Sequence, residues 1–370
     1  FPTRRSSDLA VAYALAILDD DSLSHPRLEF VCTVCEEVGM EGATGIDVSM
    51  LKGKKLLNMD SEEEGVMLAS CAGGCRADVK LPVERETVSG TKLTVSLSGL
   101  TGGHSGSEID KGRGNANTLM SRLLRDASAP VAIASIDGGR KDNAIPRECT
   151  AQIIVAPDEA AAVKASIEQA AAEIAEEFKA SDPDLKLTVS EETDCSESAI
   201  SAKDSARVIA LIEALPNGII RMSREIDKLV ETSLNLGVLK SDDAAVTLRY
   251  AVRSSVGVAK KSLKNQLVCI AGAFAAEVTF EGDYPAWEYK KDSKLREDMV
   301  RIFEEMYGKK PTVEAIHAGV ECGLLSGKIE GLDCISMGPD MYDIHTTEER
   351  LSISSAKRSY EYILRVIACK

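Results

Sequence analysis

The sequence predicts an α/β domain, a covered sheet with helices on both faces, interrupted by an inserted α+β domain of two similar units. Three observations predict it. Near both ends of the chain, strand-like runs such as Leu28 to Val34 (LEFVCTV) are apolar on both faces, the pattern of a sheet buried on both sides. In the middle, Thr91 to Leu100 (TKLTVSLSGL) and Glu148 to Ala156 (ECTAQIIVA) alternate polar and apolar residues, which marks a sheet with one wet face. A chain of 370 residues also exceeds what one ordinary core organises.

The elements follow in order. Phe1 to Leu9 (FPTRRSSDL) is polar and unpatterned and is set aside as a lead-in. Ala10 to Leu18 has helical apolar spacing and ends at the acidic run Asp19 to Asp21. Leu28 to Val34, Lys54 to Asp60 (KKLLNMD) and Gly65 to Gly74 (GVMLASCAGG) read as strands. After a turn at Ser89-Gly90 come a strand at 91–100, a helix over Asn115 to Arg125, strands at Val131 to Ile136 and 148–156, a helix over Asp158 to Lys179 and a strand at Leu185 to Ser190. That is the split βαβ pattern. A second round follows, with a helix over Ser205 to Leu215, strands at 232–240 and 244–254, a helix over Ser262 to Phe274 and a strand at 276–282, so the middle reads as two such units in tandem. The covered style then returns, with a helix over Leu295 to Tyr307, a strand near Val313, a helix start at Ala318, the strand LDCISMG and a closing helix over Ser354 to Ala368. The resulting division is 10–88 with 284–370 as one domain and 89–283 as the insertion, with 1–9 outside both.

Composition limits what such a protein does. A formal charge of −15, with no basic cluster, repels a phosphate backbone and argues against a nucleic-acid partner. No apolar run approaches the roughly 20 residues that cross a bilayer, so no membrane partner is expected. Ten Cys scattered among strands and helices read as reduced thiols, with the cytoplasm as the compartment.

The residues that could carry chemistry sit at strand ends. Glu36 and Glu37 follow the strand ending at Val34, on the edge where open α/β sheets bind ligands. One carboxylate there could ligate a metal while its neighbour serves a bound water; a solvated acidic turn is the other reading, slightly favoured on charge statistics alone. Asp60 ends the strand LLNMD and has the same two readings. His345 follows the strand LDCISMG, and beside Glu37 and Asp60 it would complete an oxygen and nitrogen ligand set of the kind Zn²⁺ accepts, with Mn²⁺ or Co²⁺ able to take a similar one. His104 lies between glycines in GGHSG, where the backbone can approach a ligand but no phosphate loop forms. Asn143 and Arg253 stand at strand edges of the insertion and could bind an anionic substrate end. His317 reads as structural and His25 as a loop residue. The Cys32-x-x-Cys35 spacing is rejected as a redox or zinc motif, because alternate strand positions face apart and no second pair exists; Cys71 and Cys75 read as packing around a tight turn.

Seven segments, CEEVGMEGATGID, LLNMDSEEEG, CAGG, LSGLTGGHSG with GRGNAN, DNAIPRE, HAGVECG and SMGPDMYDIHTTEERLSI, occur in an order and approximate spacing that resembles the aminoacyl-histidine dipeptidases (peptidase D, Xaa-His dipeptidases). These belong to the two-metal hydrolases that include carnosinases, aminoacylases and glutamate carboxypeptidases. The resemblance runs from Ala10 onward and implies a catalytic α/β domain carrying an inserted lid. It implies Glu36 as general base, Glu37 and His345 as ligands of one zinc ion, and Asp60 as a ligand of the second. It implies that His104 reaches the scissile carbonyl and that Asn143 and Arg253 hold the substrate's carboxylate. The implied activity is hydrolysis of small dipeptides by a monomer or homodimer. An N-acyl-amino-acid hydrolase or aminopeptidase of the same group is the alternative within the class. The family also carries a His-x-Asp and an Asp-Asn-Gly motif ahead of the segment matching AVAYALAIL; neither is present here, so the resemblance implies an incomplete metal site and little activity for this sequence by itself, and leaves a non-catalytic remnant as the alternative outside the class.

Overall fold

The computed structural model describes residues 6–36, 39–344 and 346–369. In chain order the first unit begins with α1 (Ser6–Leu18), α2 (Glu41–Gly45), β1 (Lys55–Asn58) and β2 (Val66–Cys71). The second follows with β3 (Gly73–Pro82), β4 (Arg85–Ser98), β5 (Gly103–His104), α3 (Ala116–Arg125), β6 (Ala132–Gly138), β7 (Ala144–Ile145), β8 (Cys149–Val155), α4 (Ala160–Phe178), β9 (Lys186–Ile200), α5 (Ala202–Ala214), β10 (Gly218–Met222), β11 (Val230–Ser241), β12 (Ala245–Ser254), α6 (Gly257–Ala273) and β13 (Glu277–Tyr284). The chain then returns to the first unit through α7 (Lys294–Tyr307), β14 (Thr312–Ile316), α8 (Glu321–Lys328), β15 (Asp333–Ser336), β16 (Met341–Tyr342), β17 (Arg350–Leu351) and α9 (Ile353–Ile367).

The first unit comprises residues 1–73, 225–229 and 284–370. Its sheet runs β1-β15-β2-β14, with β1 parallel to β15, β14 parallel to β2, and β2 meeting β15 antiparallel. Successive residues point to opposite faces, and each face is covered. Met67, Ala69 and Ile335 face a layer built from Tyr13, Leu295, Met299, Phe303 and Tyr362 of α1, α7 and α9. Leu68 and Cys334 face Trp287, Val320 and Cys322, the last from α8, and Cys71 joins them because the pairing of β2 with β14 shifts register between Leu68 and Cys71. Buried Asp333 joins layer to sheet: its carboxylate accepts from Ser293 Oγ at 2.6 Å and from Leu295 N at 3.0 Å, capping α7.

Three expectations for this unit are corrected. Leu28 to Val34 is irregular and not a strand. The first helix starts at Ser6, so the lead-in does not end at Leu9. Cys71 and Cys75 flank no tight turn; Cys71 closes β2 and Cys75 lies within β3.

Residues 225–229 apart, the chain leaves the first unit at Gly73 and returns at Tyr284, and there its two passes touch through backbone. A Cβ on Gly73 would stand 2.4 Å from Ala286 N and 2.6 Å from Pro285 C, so only glycine fits. Gly73→Ala is expected to lower stability by about 1–3 kcal/mol through forced backbone displacement, read as a lower urea midpoint at unchanged slope.

The second unit, residues 74–224 and 230–283, is built on one continuous sheet ordered β13-β3-β12-β11-β6-β8-β4-β9, with β10 added beside β11. Two β-α-β-β-α-β units lie within it. The first is β4, α3, β6, β8, α4 and β9; the second is β3, α5, β11, β12, α6 and β13, and each has the spatial order fourth, first, third, second strand. They join edge to edge where β6 meets β11, Lys240 facing Asp137 and Leu239 facing Gly138. The two units are nested, not in tandem: the whole first unit is inserted between β3 and α5 of the second. The boundary accordingly falls at Gly73/Gly74 and not after Val88, and the expected turn at Ser89-Gly90 lies inside β4. Cys75, Ala77, Val79 and Leu81 alternate into the core along β3, and Arg249 grips Asp78 bidentately at 2.7 and 2.8 Å to fasten β3 to β12.

Tyr250 is fully buried on β12, and its hydroxyl has no hydrogen-bond partner among the described residues. An unsatisfied buried hydroxyl costs about 1–3 kcal/mol. Tyr250→Phe removes that cost with little change of shape, so a raised thermal midpoint is expected; a loss of stability would show that the hydroxyl is satisfied.

Candidate functional site

The chain of the first unit brings one predicted ligand to a built sheet edge. Beyond β1 and β15 the two strands stay in contact: Met337 N donates to Asn58 O at 2.9 Å, the Ser61 and Ser336 hydroxyls lie 2.9 Å apart, and a Cβ on Gly338 would fall 1.6 Å from Ser61 O. Half-buried Asp60 is thereby held beside the segment that continues from Gly338. Met341 N donates to Glu62 O at 2.9 Å, and the short hairpin of β16 and β17 is closed by an Asp343–Arg350 ion pair at 2.5 Å. His345 lies outside the described residues.

The neighbouring acids have structural work. Glu64 is paired with Arg358, whose guanidinium holds the carboxyl below the ordinary carboxylate range, and Glu64 N donates to Asp340 Oδ1 at 2.8 Å. Behind Asp60, hydrogen bonding to Cys334 and burial push the Cys322 thiol up, and the Asp60 charge adds to that rise.

Glu36 is half-buried in a turn that replaces the expected strand end. Its carbonyl accepts from Gly39 N at 3.2 Å and Met40 N at 2.9 Å; Cys35 before it is left-handed, with φ 58°. Gly42 N donates to Val34 O at 2.9 Å, and a Cβ on Gly42 would lie 2.4 Å from that oxygen. Thr33 Oγ1 donates to Glu321 Oε1 at 2.7 Å, tying this segment to the start of α8. Glu37 lies outside the described residues. Cys32 and Cys35 are free and exposed in irregular chain, so the face-alternation argument against them does not apply. His317 is buried after β14, whose end lies on the opposite edge from the exits of β1 and β15; His25 is exposed.

The second unit gathers the other three predicted residues. β5 pairs with β7, setting His104 opposite Ala144, and Ser105 N donates to Asn143 O at 2.9 Å. Arg253, on β12, is close enough for its charge to depress the His104 pKa, although burial is the larger cause and Glu108 opposes both. The sequence reading missed the clamp beneath this turn. His104 N donates to Glu108 Oε2 at 2.8 Å, and Arg113 Nη1 bridges Glu108 Oε1 at 2.9 Å and Gly102 O at 2.5 Å. Gly103, at φ 137°, adopts a backbone that other residues rarely take. The spacing of Glu108 four residues after His104, in a Gly-rich stretch leading to Arg113, was the available signal.

As a donor set, Glu37, Asp60 and His345 fit a divalent ion in type, two carboxylates and an imidazole. Asp60 is half-buried two residues beyond β1; the other two lie outside the described residues, and among the described residues no three His, Cys, Asp or Glu come together as a metal-holding group. No helix among the described residues is long and apolar enough to cross a membrane.

A family profile described as a peptidase dimerisation domain matches residues 95–182. The cytosol non-specific dipeptidase of Escherichia coli K12 is 35% identical over 351 residues, covering 94% of this chain and 72% of its own. The crystal structure of aminoacylhistidine dipeptidase from Vibrio alginolyticus superposes with a TM-score of 0.89 at 32% identity, over 96% of this chain and 74% of that one.

Proposed function

Because the chain belongs to the family of the cytosol non-specific and aminoacylhistidine dipeptidases, we propose that it hydrolyses dipeptides, Xaa-His among them, in the cytoplasm and with divalent metal ions, zinc first and Mn²⁺ or Co²⁺ as alternatives. The observation that carries the reading is the gathering of an imidazole, a guanidinium and the Asn143 segment in one unit, from sequence positions as far apart as His104 and Arg253. No observation favours an N-acyl-amino-acid hydrolase or an aminopeptidase.

In this reading Glu37, Asp60 and His345 hold the ions, which when bound supply Lewis acidity and lower the pKa of water. Glu36 takes the proton from the attacking water and delivers it to the leaving amine. His104 donates a hydrogen bond to the carbonyl oxygen as negative charge develops there. Arg253 and Asn143 hold the substrate's free carboxylate, so a dipeptide is preferred to a longer peptide. The assembly proposed is a homodimer, supported by the dimerisation-domain match across β4 to α4.

The test is cleavage of Xaa-His and other dipeptides by this chain joined to a natural segment bearing the His-x-Asp and Asp-Asn-Gly motifs, with and without chelator. Chelator-sensitive release of free amino acids is expected. Hydrolysis of N-acyl amino acids with dipeptides untouched would overturn the reading.

A further inference from the structure

The Nδ1 atom of His104 is surrounded by donors. Gly106 N reaches it at 3.3 Å, Ser107 N at 3.1 Å and Ser107 Oγ at 3.1 Å. A backbone N–H only donates, so two of these three contacts require a lone pair on Nδ1. The ring hydrogen must then sit on Nε2, a tautomer assigned here from the bonding network. Protonating Nδ1 would set its N–H against two fixed N–H groups, and the turn cannot relax to accept it. Glu108 ties the His104 amide, and Arg113 ties Glu108 to Gly102, so the loop that aims the donors is itself held.

We propose that the His104–Ser107 turn is a tautomer lock that keeps His104 neutral with its hydrogen on Nε2, and that Ser107 is the positioning residue of that lock. The ring then offers a hydrogen bond and no transferable acid proton. This deepens the proposed function and rests on its assignment of His104 to the carbonyl oxygen. It separates two roles that a histidine could combine: Glu36 moves the proton, and His104 only stabilises charge. Burial and the Arg253 charge act in concert with the lock by lowering the ring's affinity for a proton, and the Glu108 charge opposes them.

The experiment is long-range ¹H–¹⁵N NMR on the full chain labelled with ¹⁵N-histidine, the His104 signals being identified by their loss in His104→Gln. A single neutral form protonated on Nε2 is expected, titrating below the usual histidine range. A ring protonated on Nδ1, or a rapid mixture of both tautomers, would overturn the proposal. Ser107→Ala removes one donor to the Nδ1 lone pair, so the titration midpoint should rise, and Ser107→Thr should restore it; an unchanged midpoint in Ser107→Ala would remove Ser107 from the lock. In this chain joined to a segment bearing the His-x-Asp and Asp-Asn-Gly motifs, Ser107→Ala should lower kcat roughly 2- to 10-fold with KM unchanged. An intact Nε2–H form with His104→Ala costing no kcat would instead refute the assignment of His104 to the carbonyl while leaving the lock standing.

Discussion

Glu36→Gln, made in this chain joined to a segment bearing the His-x-Asp and Asp-Asn-Gly motifs, is expected to lower kcat for dipeptides by about 10²- to 10⁴-fold and to leave metal content unchanged. The amide keeps the size and the half-buried place of the carboxylate but cannot take a proton from water. The change leaves in place the turn's bonds to the Glu36, Cys35 and Val34 carbonyls and the bond from the Thr33 hydroxyl, so the turn that carries it should survive. Metal analysis beside steady-state kinetics decides the matter. An unmutated rate, or loss of the ions, would withdraw the role given to Glu36.

Asp60→Ala should give the opposite metal readout. Removing a direct ligand is expected to weaken metal binding by more than about 100-fold, since even outer partners of ligands cost 10- to 100-fold. Activity should fall with occupancy and recover in part at high metal concentration. The fold should hold, because contacts joining the exits of β1 and β15 are made by Asn58, Ser61, Ser336 and Met337, which the change does not touch. Full occupancy in Asp60→Ala would remove Asp60 from the ligand set, whatever became of the activity.

What was legible in the sequence was local. β4, α3, α4 and β8 follow from periodicity; the structure adds that Asn115, the expected first residue of α3, caps it by accepting from Asn117 N and Thr118 N. Leu28 to Val34 shows the limit. Its apolar composition favours a strand, but a strand also needs a paired neighbour, and the segment has none among the described residues. β3 was not read as a strand at all. Its alternation from Cys75 to Leu81 is plain in the sequence, but its neighbours in the sheet are β12 and β13, far along the chain, and no local signal says so. Of the proposed site, Asp60, His104 and Arg253 were marked by residue type and strand position. The lock on Nδ1 was not, because it is made by amides whose direction depends on the turn and not on the side chains that name it.

The nesting of the second unit has a consequence for synthesis. Strand β3 ends at Pro82 and its helix α5 begins at Ala202, so about 120 residues separate the opening of that unit from its first covering helix. At roughly 5–20 residues per second, a ribosome takes on the order of ten seconds to supply them. During that interval the inner unit, β4 to β9, can close on contacts already emerged, while the apolar side of β3 waits without its layer. The order of assembly is therefore inside first, outside last. The nascent chain is most exposed to mispairing along β3, and a pause or premature termination between Ile200 and Ala245 would release a finished inner unit carrying an orphan strand.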